Sequence, residues 1–113
     1  MTLLFKKQFI TKIKEGAKTQ TRRLKQPRLK IGKKYSLREN YHTALPDKIL
    51  ITDIYPQYLG DITLEDVRRE GFTKEIEFKK VWADIYGEYD PEMFIWVVEF
   101  QYIDPTETFK EKS

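Results

Sequence analysis

The chain has 113 residues, 40% of them hydrophobic and 14% aromatic, which is enough for one hydrophobic core and too little for two ordinary domains. With no cysteine and one histidine, His42, it offers neither disulfides nor thiolate or imidazole clusters, so no metal and no cofactor is expected. The formal charge is +3, no apolar run nears the roughly 20 residues that cross a bilayer, and the start Met1–Lys7 lacks a secretory pattern, so a cytoplasmic chain without a membrane segment is expected.

Phe9, Ile10 and Ile13 recur at helical spacing with lysines between them, and Gly16 stands where a helix ends, which predicts a short amphipathic helix over Phe9–Glu15. Thr21–Leu24 reads as extended. Lys25–Lys30 with Pro27 reads as a connector, and Ile31-Gly32-Lys33-Lys34 as a turn into a strand at Tyr35–Arg38. Lys48–Tyr58 is the best central strand, with Pro56 confined to a bulge or an edge. Thr63 followed by early acids, late bases and Gly71 predicts a short helix, and Thr73 opens a second that Gly87 closes. Met93–Tyr102 is β-branched and aromatic, as a buried strand is, and Phe9, Phe94, Trp96, Phe100 and Trp82 are expected in the core. Residues 1–103 read as a single domain, and 104–113, polar except for Phe109, as a C-terminal tail. Strands at both ends with helices between them predict an α+β fold, a small partly closed β-barrel with short helices after the first segment and before the last strand.

Gly16-Ala17-Lys18-Thr19-Gln20-Thr21-Arg22-Arg23 is the densest chemistry in the chain, an amine, hydroxyls and two guanidiniums just after a helix end. In an extended segment Thr21 and Arg23 share a face. The glycine spacing lacks the first glycine of a phosphate-binding loop, His42 has no nucleophile motif beside it, and Glu88–Glu92 lacks calcium-loop spacing. Charge is lopsided: residues 1–40 hold 13 Lys and Arg against 2 acids, a net +11, and residues 41–113 carry −8. Either the basic block attracts polyanions or the two halves pair with each other. Arg22, Arg23, Lys25, Arg28, Lys30, Lys33, Lys34 and Arg38 are the candidate contacts for RNA phosphates, and Tyr35, Tyr41, Trp82 or Tyr86 could stack bases.

Gly16-x-Lys18-x-x-Thr21-x-Arg23, then Ile31–Tyr35, the Glu77–Tyr86 helix and the strand ending Trp96-Val97-Val98-Glu99-Phe100, together resemble the ASCH domain, a PUA-like barrel family linked to RNA. The resemblance runs through roughly residues 5–102. It implies an RNA- or modified-nucleoside-binding domain. One branch of the family removes acetyl from N4-acetylcytidine with a lysine, a threonine and a glutamate, and alignment of the motifs puts these on Lys18, Thr21 and Glu77. On that reading Thr21 is the nucleophile, Lys18 the base and Glu77 the supporting acid/base group. Three readings stay open: nucleic-acid or nucleoside binding, amide hydrolysis, and a protein-interaction domain that uses its basic face. Oligomeric state is not legible.

Overall fold

The computed structural model describes residues 3–106. Helix α1 (Lys7–Lys14) buries Phe9, Ile10 and Ile13 and carries Lys12 and Lys14 in its last turn, where cations oppose the negative helix end. Gly16 follows with φ 78°, the left-handed conformation that stops a helix at low cost to glycine. The amides of Ala17 and Lys18 both bond back to the Lys12 carbonyl, and this turn delivers Lys18 to the mouth of strand β1 (Gln20–Arg23).

The next two strands are β2 (Lys34–Arg38) and β3 (Ala44–Tyr58), the latter beginning four residues before the predicted Lys48. Helix α2 (Leu64–Arg69) opens with a capping box between Thr63 and Asp66. Helix α3 (Glu75–Tyr86) ends on Gly87, whose φ is 93°, and strand β4 (Phe94–Ile103) closes the sheet. All pairings are antiparallel, in the order β1-β4-β3-β2. The described strands thus form an open four-stranded sheet, and the α+β architecture holds while the expected barrel closure is absent among the described residues.

Pairing sets which side chains share a face, because directly opposed residues project to the same side. Thr21 opposes Val98 and Ile51 opposes Phe100, so these stand together over α1 with Leu37 and Ile49. Gln20 and Arg22 project to the other side, with Val97, where α2 and α3 pack a second cluster of Leu59, Val67, Phe78, Trp82 and Ile95. A bulge in β3 between Ile51 and Asp53 shifts the alternation by one residue, so that Ile54, opposite Val98, follows Ile51 on the α1 side. Pro56 pairs with Trp96 on one side, and β2 reaches only to Leu50 on the other, so the missing amide hydrogen lies on an unpaired edge, as predicted.

Phe9, Phe100 and Trp82 are buried as expected, but Phe94 is 53% exposed and Trp96 half-buried. The two stack edge-on in a row with Tyr58. Of the expected tail, residues 107–113, Phe109 among them, lie outside the described residues. Among the described residues no helix is long and apolar enough to cross a membrane.

Candidate functional site

Thr19 closes the site. Its amide donates to the Arg69 carbonyl at 2.7 Å and its carbonyl accepts from the Phe100 amide at 2.9 Å, so the start of β1 is fastened between the end of α2 and strand β4. Residues 18 and 70 are thereby brought side by side across 52 positions of sequence. Gly71 allows the approach: its φ is 97°, and a Cβ there would stand 3.0 Å from Lys12 Cδ and 3.4 Å from Lys18 Cβ. Larger residues would be strained by the backbone and crowded by both lysines.

The result is a buried ion network. Lys18 Nζ donates to Glu70 Oε1 at 2.9 Å and to the Glu70 carbonyl at 3.0 Å. Arg22 Nη1 donates to the other carboxylate oxygen, Oε2, at 2.8 Å and to Gln20 Oε1 at 2.9 Å, and Arg22 Nε donates to Gln57 Oε1 at 3.1 Å. Asp66 lies 3.5 Å from Arg22 Nη2 and accepts from Gln20, so two cations face two carboxylates. The side chains of Lys18, Arg22 and Glu70 are each 5% exposed or less. Burial pushes the Lys18 amine below its ordinary range, since the charged form loses its water; the Glu70 carboxylate opposes the shift, and Arg23 and Arg22 add to it.

This network forms one wall of a cavity of about 200 Å³ at the β1 edge of the sheet, between α1 and α3. Thr21 and Arg23 line it from the strand, Leu4–Lys6 and Phe9 from the N-terminal side, and Phe72, Phe78, Trp82 and Tyr86 from the helical side. Thr21 is 5% exposed, and among the described residues its hydroxyl has one hydrogen bond, a long one accepted from Arg23 Nε at 3.4 Å. Arg23 is tied to the Leu4 carbonyl and lies over the Phe5 ring, and burial lowers its pKa. Burial likewise raises the Tyr86 phenol.

Lys18 and Thr21 meet at this cavity as the motif reading expected, but Glu77 does not line it. Glu77 is exposed and serves its own helix, with Oε1 accepting from the Lys74 amide and the Thr73 hydroxyl, both at 3.0 Å. The carboxylate at the cavity is Glu70, seven positions earlier. A signal for it exists in the sequence: an acid immediately before Gly71, at the negative end of a helix that otherwise places acids early and bases late, is out of pattern unless a cation holds it. Glu77→Ala should lose the helix cap, about 1 kcal/mol in a denaturant midpoint, and should leave the cavity's chemistry untouched.

The basic set also divides. Arg22 and Arg23 belong to the cavity, and Lys25 is exposed and lines neither hollow. Lys33, Lys34 and Arg38 join Arg28 and Lys30 around a separate groove of about 450 Å³ on β2, with Tyr35 in its floor and no acid among its lining residues. The N-terminal segment separates the two, Leu3 facing the groove and Leu4 the cavity. Among the described residues no group of His, Cys, Asp or Glu could hold a metal ion.

No family model and no curated protein matches the chain. Solved structures do. An ASCH domain from Lactobacillus crispatus JV V101 superposes with a TM-score of 0.71 at 13% identity, over 83% of this chain and 69% of that one. A protein from Enterococcus faecalis V583 described as DUF984 superposes with a TM-score of 0.59 at 17% identity, over 86% of this chain and 71% of that one. The open antiparallel sheet with its inserted helices is thus the fold of an ASCH domain.

Proposed function

We propose that the chain hydrolyses the amide of an N4-acylated cytidine held in the cavity, with Thr21 as nucleophile, Lys18 as its base and Glu70 as the carboxylate that positions Lys18. The observation that carries this is the buried Lys18–Glu70 pair at 2.9 Å on the wall that Thr21 shares. A hydroxyl becomes a nucleophile only beside a base, and an amine becomes a base near neutral pH only if burial or nearby cations lower its pKa. Both conditions favour Lys18. The cavity is small, and the rings of Phe72, Trp82 and Tyr86 on its wall suit a flat heterocycle.

In the proposed reaction Thr21 Oγ1 attacks the acyl carbonyl as its proton passes to Lys18 Nζ. The C–N bond then breaks and the proton moves from Lys18 to the departing N4, giving cytidine and an acyl-threonine ester. Water cleaves the ester, the proton again passing through Lys18, and releases the carboxylate. The neutral amine is the working form, so kcat/KM should rise with pH on a limb whose midpoint lies below the ordinary 10.5 of a lysine. Purified chain incubated with N4-acetylcytidine should yield cytidine and acetate in equal amounts, and no turnover between pH 6 and 9 overturns the reading.

A second reading concerns the groove, and its five cations without an opposing acid are what favours it. There the phosphates of a single-stranded RNA are the proposed ligand, bound with an affinity whose logarithm falls linearly with the logarithm of salt concentration. Lys33→Glu with Lys34→Glu should weaken a fluorescent oligonucleotide at least tenfold at low salt; undiminished binding removes the groove from consideration.

A further inference from the structure

The cavity and the basic groove share a wall, the N-terminal segment, with Leu3 on the groove side and Leu4, Phe5 and Lys6 on the cavity side. A single peptide group pins this wall from both directions. The Leu4 carbonyl accepts from Arg23 Nη2 at 2.9 Å, and the Phe5 amide, the other half of the same planar unit, donates to the Arg38 carbonyl at 3.0 Å. Arg23 lines the cavity and Arg38 the groove. Across one peptide unit the Arg23 guanidinium and the Arg38 carbonyl are therefore at most about 8.5 Å apart, a gap that one nucleotide and the phosphate beside it can bridge.

Size says which part of a ligand each hollow takes. The cavity, at about 200 Å³, is smaller than the roughly 300–1,000 Å³ of pockets that enclose a whole drug-sized ligand, so it has room for an acylated base and leaves sugar and phosphate outside. Its exposed lining residues, Lys6 and Ile85, mark where these emerge, and Lys6 lies on the segment that walls off the groove. Beyond that segment Arg28, Lys30, Lys33, Lys34 and Arg38 line a groove of more than twice the volume with no acid among them, more cations than one phosphate needs.

We infer that cavity and groove are two subsites of one site, the cavity taking the acylated base and the groove the phosphates next to it, so that the substrate is an N4-acylated cytidine within a single-stranded RNA rather than the free nucleoside. This rests on the hydrolytic reading above and joins the groove to it. Once either subsite is filled the other meets its ligand at high effective concentration, so a strand that reaches both binds far more tightly than the base alone.

Three substrates with the same acetylated base provide the test: N4-acetylcytidine, its 5′-monophosphate, and a short single-stranded RNA with one N4-acetylcytidine. At low salt the RNA should have a kcat/KM at least tenfold above that of the nucleoside, gained through KM, and the monophosphate should gain less. Added salt should erase the advantage, since released counterions drive it. Lys33→Glu with Lys34→Glu should bring the RNA-to-nucleoside ratio close to one, and a folding defect alone does not move that ratio. An RNA turned over no better than the nucleoside, a monophosphate as good as the RNA, or a ratio that the variant leaves unchanged overturns the inference while the hydrolytic reading stands. If the wild type turns over none of the three, that reading falls instead and binding decides: a fluorescent RNA with N4-acetylcytidine should bind at least tenfold more tightly than the same RNA with an abasic position there, and equal affinities overturn the joint site.

Discussion

Replacing Glu70 by alanine should both destabilise the chain by about 3–5 kcal/mol and abolish turnover of N4-acetylcytidine. Its two carboxylate oxygens each accept from a different buried cation, Lys18 at 2.9 Å and Arg22 at 2.8 Å, so a single truncation takes the carboxylate from Lys18 and leaves Arg22 only the more distant Asp66. Domains of this size are stable by only about 5–15 kcal/mol, so the loss is a large part of the total and should appear as a large drop in the urea midpoint. Glu70→Gln separates the two effects. It keeps the volume but turns an amide NH2 toward one of the cations, so it should fold better than the alanine variant and remain inactive. A Glu70→Ala chain with the wild-type midpoint would show that the network contributes nothing to the fold.

Thr21→Val is expected to have the opposite balance, near-native stability with turnover reduced by on the order of 10⁴-fold or more. The substitution keeps the branched shape that packs opposite Val98 and removes a hydroxyl whose one hydrogen bond among the described residues is 3.4 Å long. Thr21→Ser restores the oxygen and should recover much of the rate. Cytidine should still bind the valine variant, because the rings of Phe72, Trp82 and Tyr86 that line the cavity are untouched. Turnover by Thr21→Val within tenfold of wild type would require another nucleophile, water included.

Local pattern made most of the fold legible. The spacing of Phe9, Ile10 and Ile13 with Gly16 beyond them, the capping hydroxyl of Thr63, the stop at Gly87 and the β-branched run before Phe100 each express an interaction within a few residues, and each element formed where its pattern lay. Sheet order and the openness of the sheet depend on pairings between distant residues, and no local signal encodes those. The site divides in the same way. Lys18 and Thr21 share one turn and one short strand, so their motif places both. The carboxylate comes from a different element, and Glu77 offered an acid in a segment that resembled the family's late helix, whereas Glu70 reaches Lys18 only because Gly71 and Thr19 let α2 close on β1. Phe94 misled for a related reason: its type suits a core, but its ring is 53% exposed and meets the rings of Tyr58 and Trp96 instead.

Phe72 stands edge-on to Phe9 at 6.0 Å and to Phe78 at 5.9 Å, and so belongs to both clusters of packed side chains while also facing the cavity. One ring is therefore the keystone between two otherwise separate halves of the interior, and a guest that presses on it braces both. Occupancy should register as a rise in the melting temperature of the whole chain in a single cooperative step, and loosening of either half should be felt as weaker affinity long before anything unfolds.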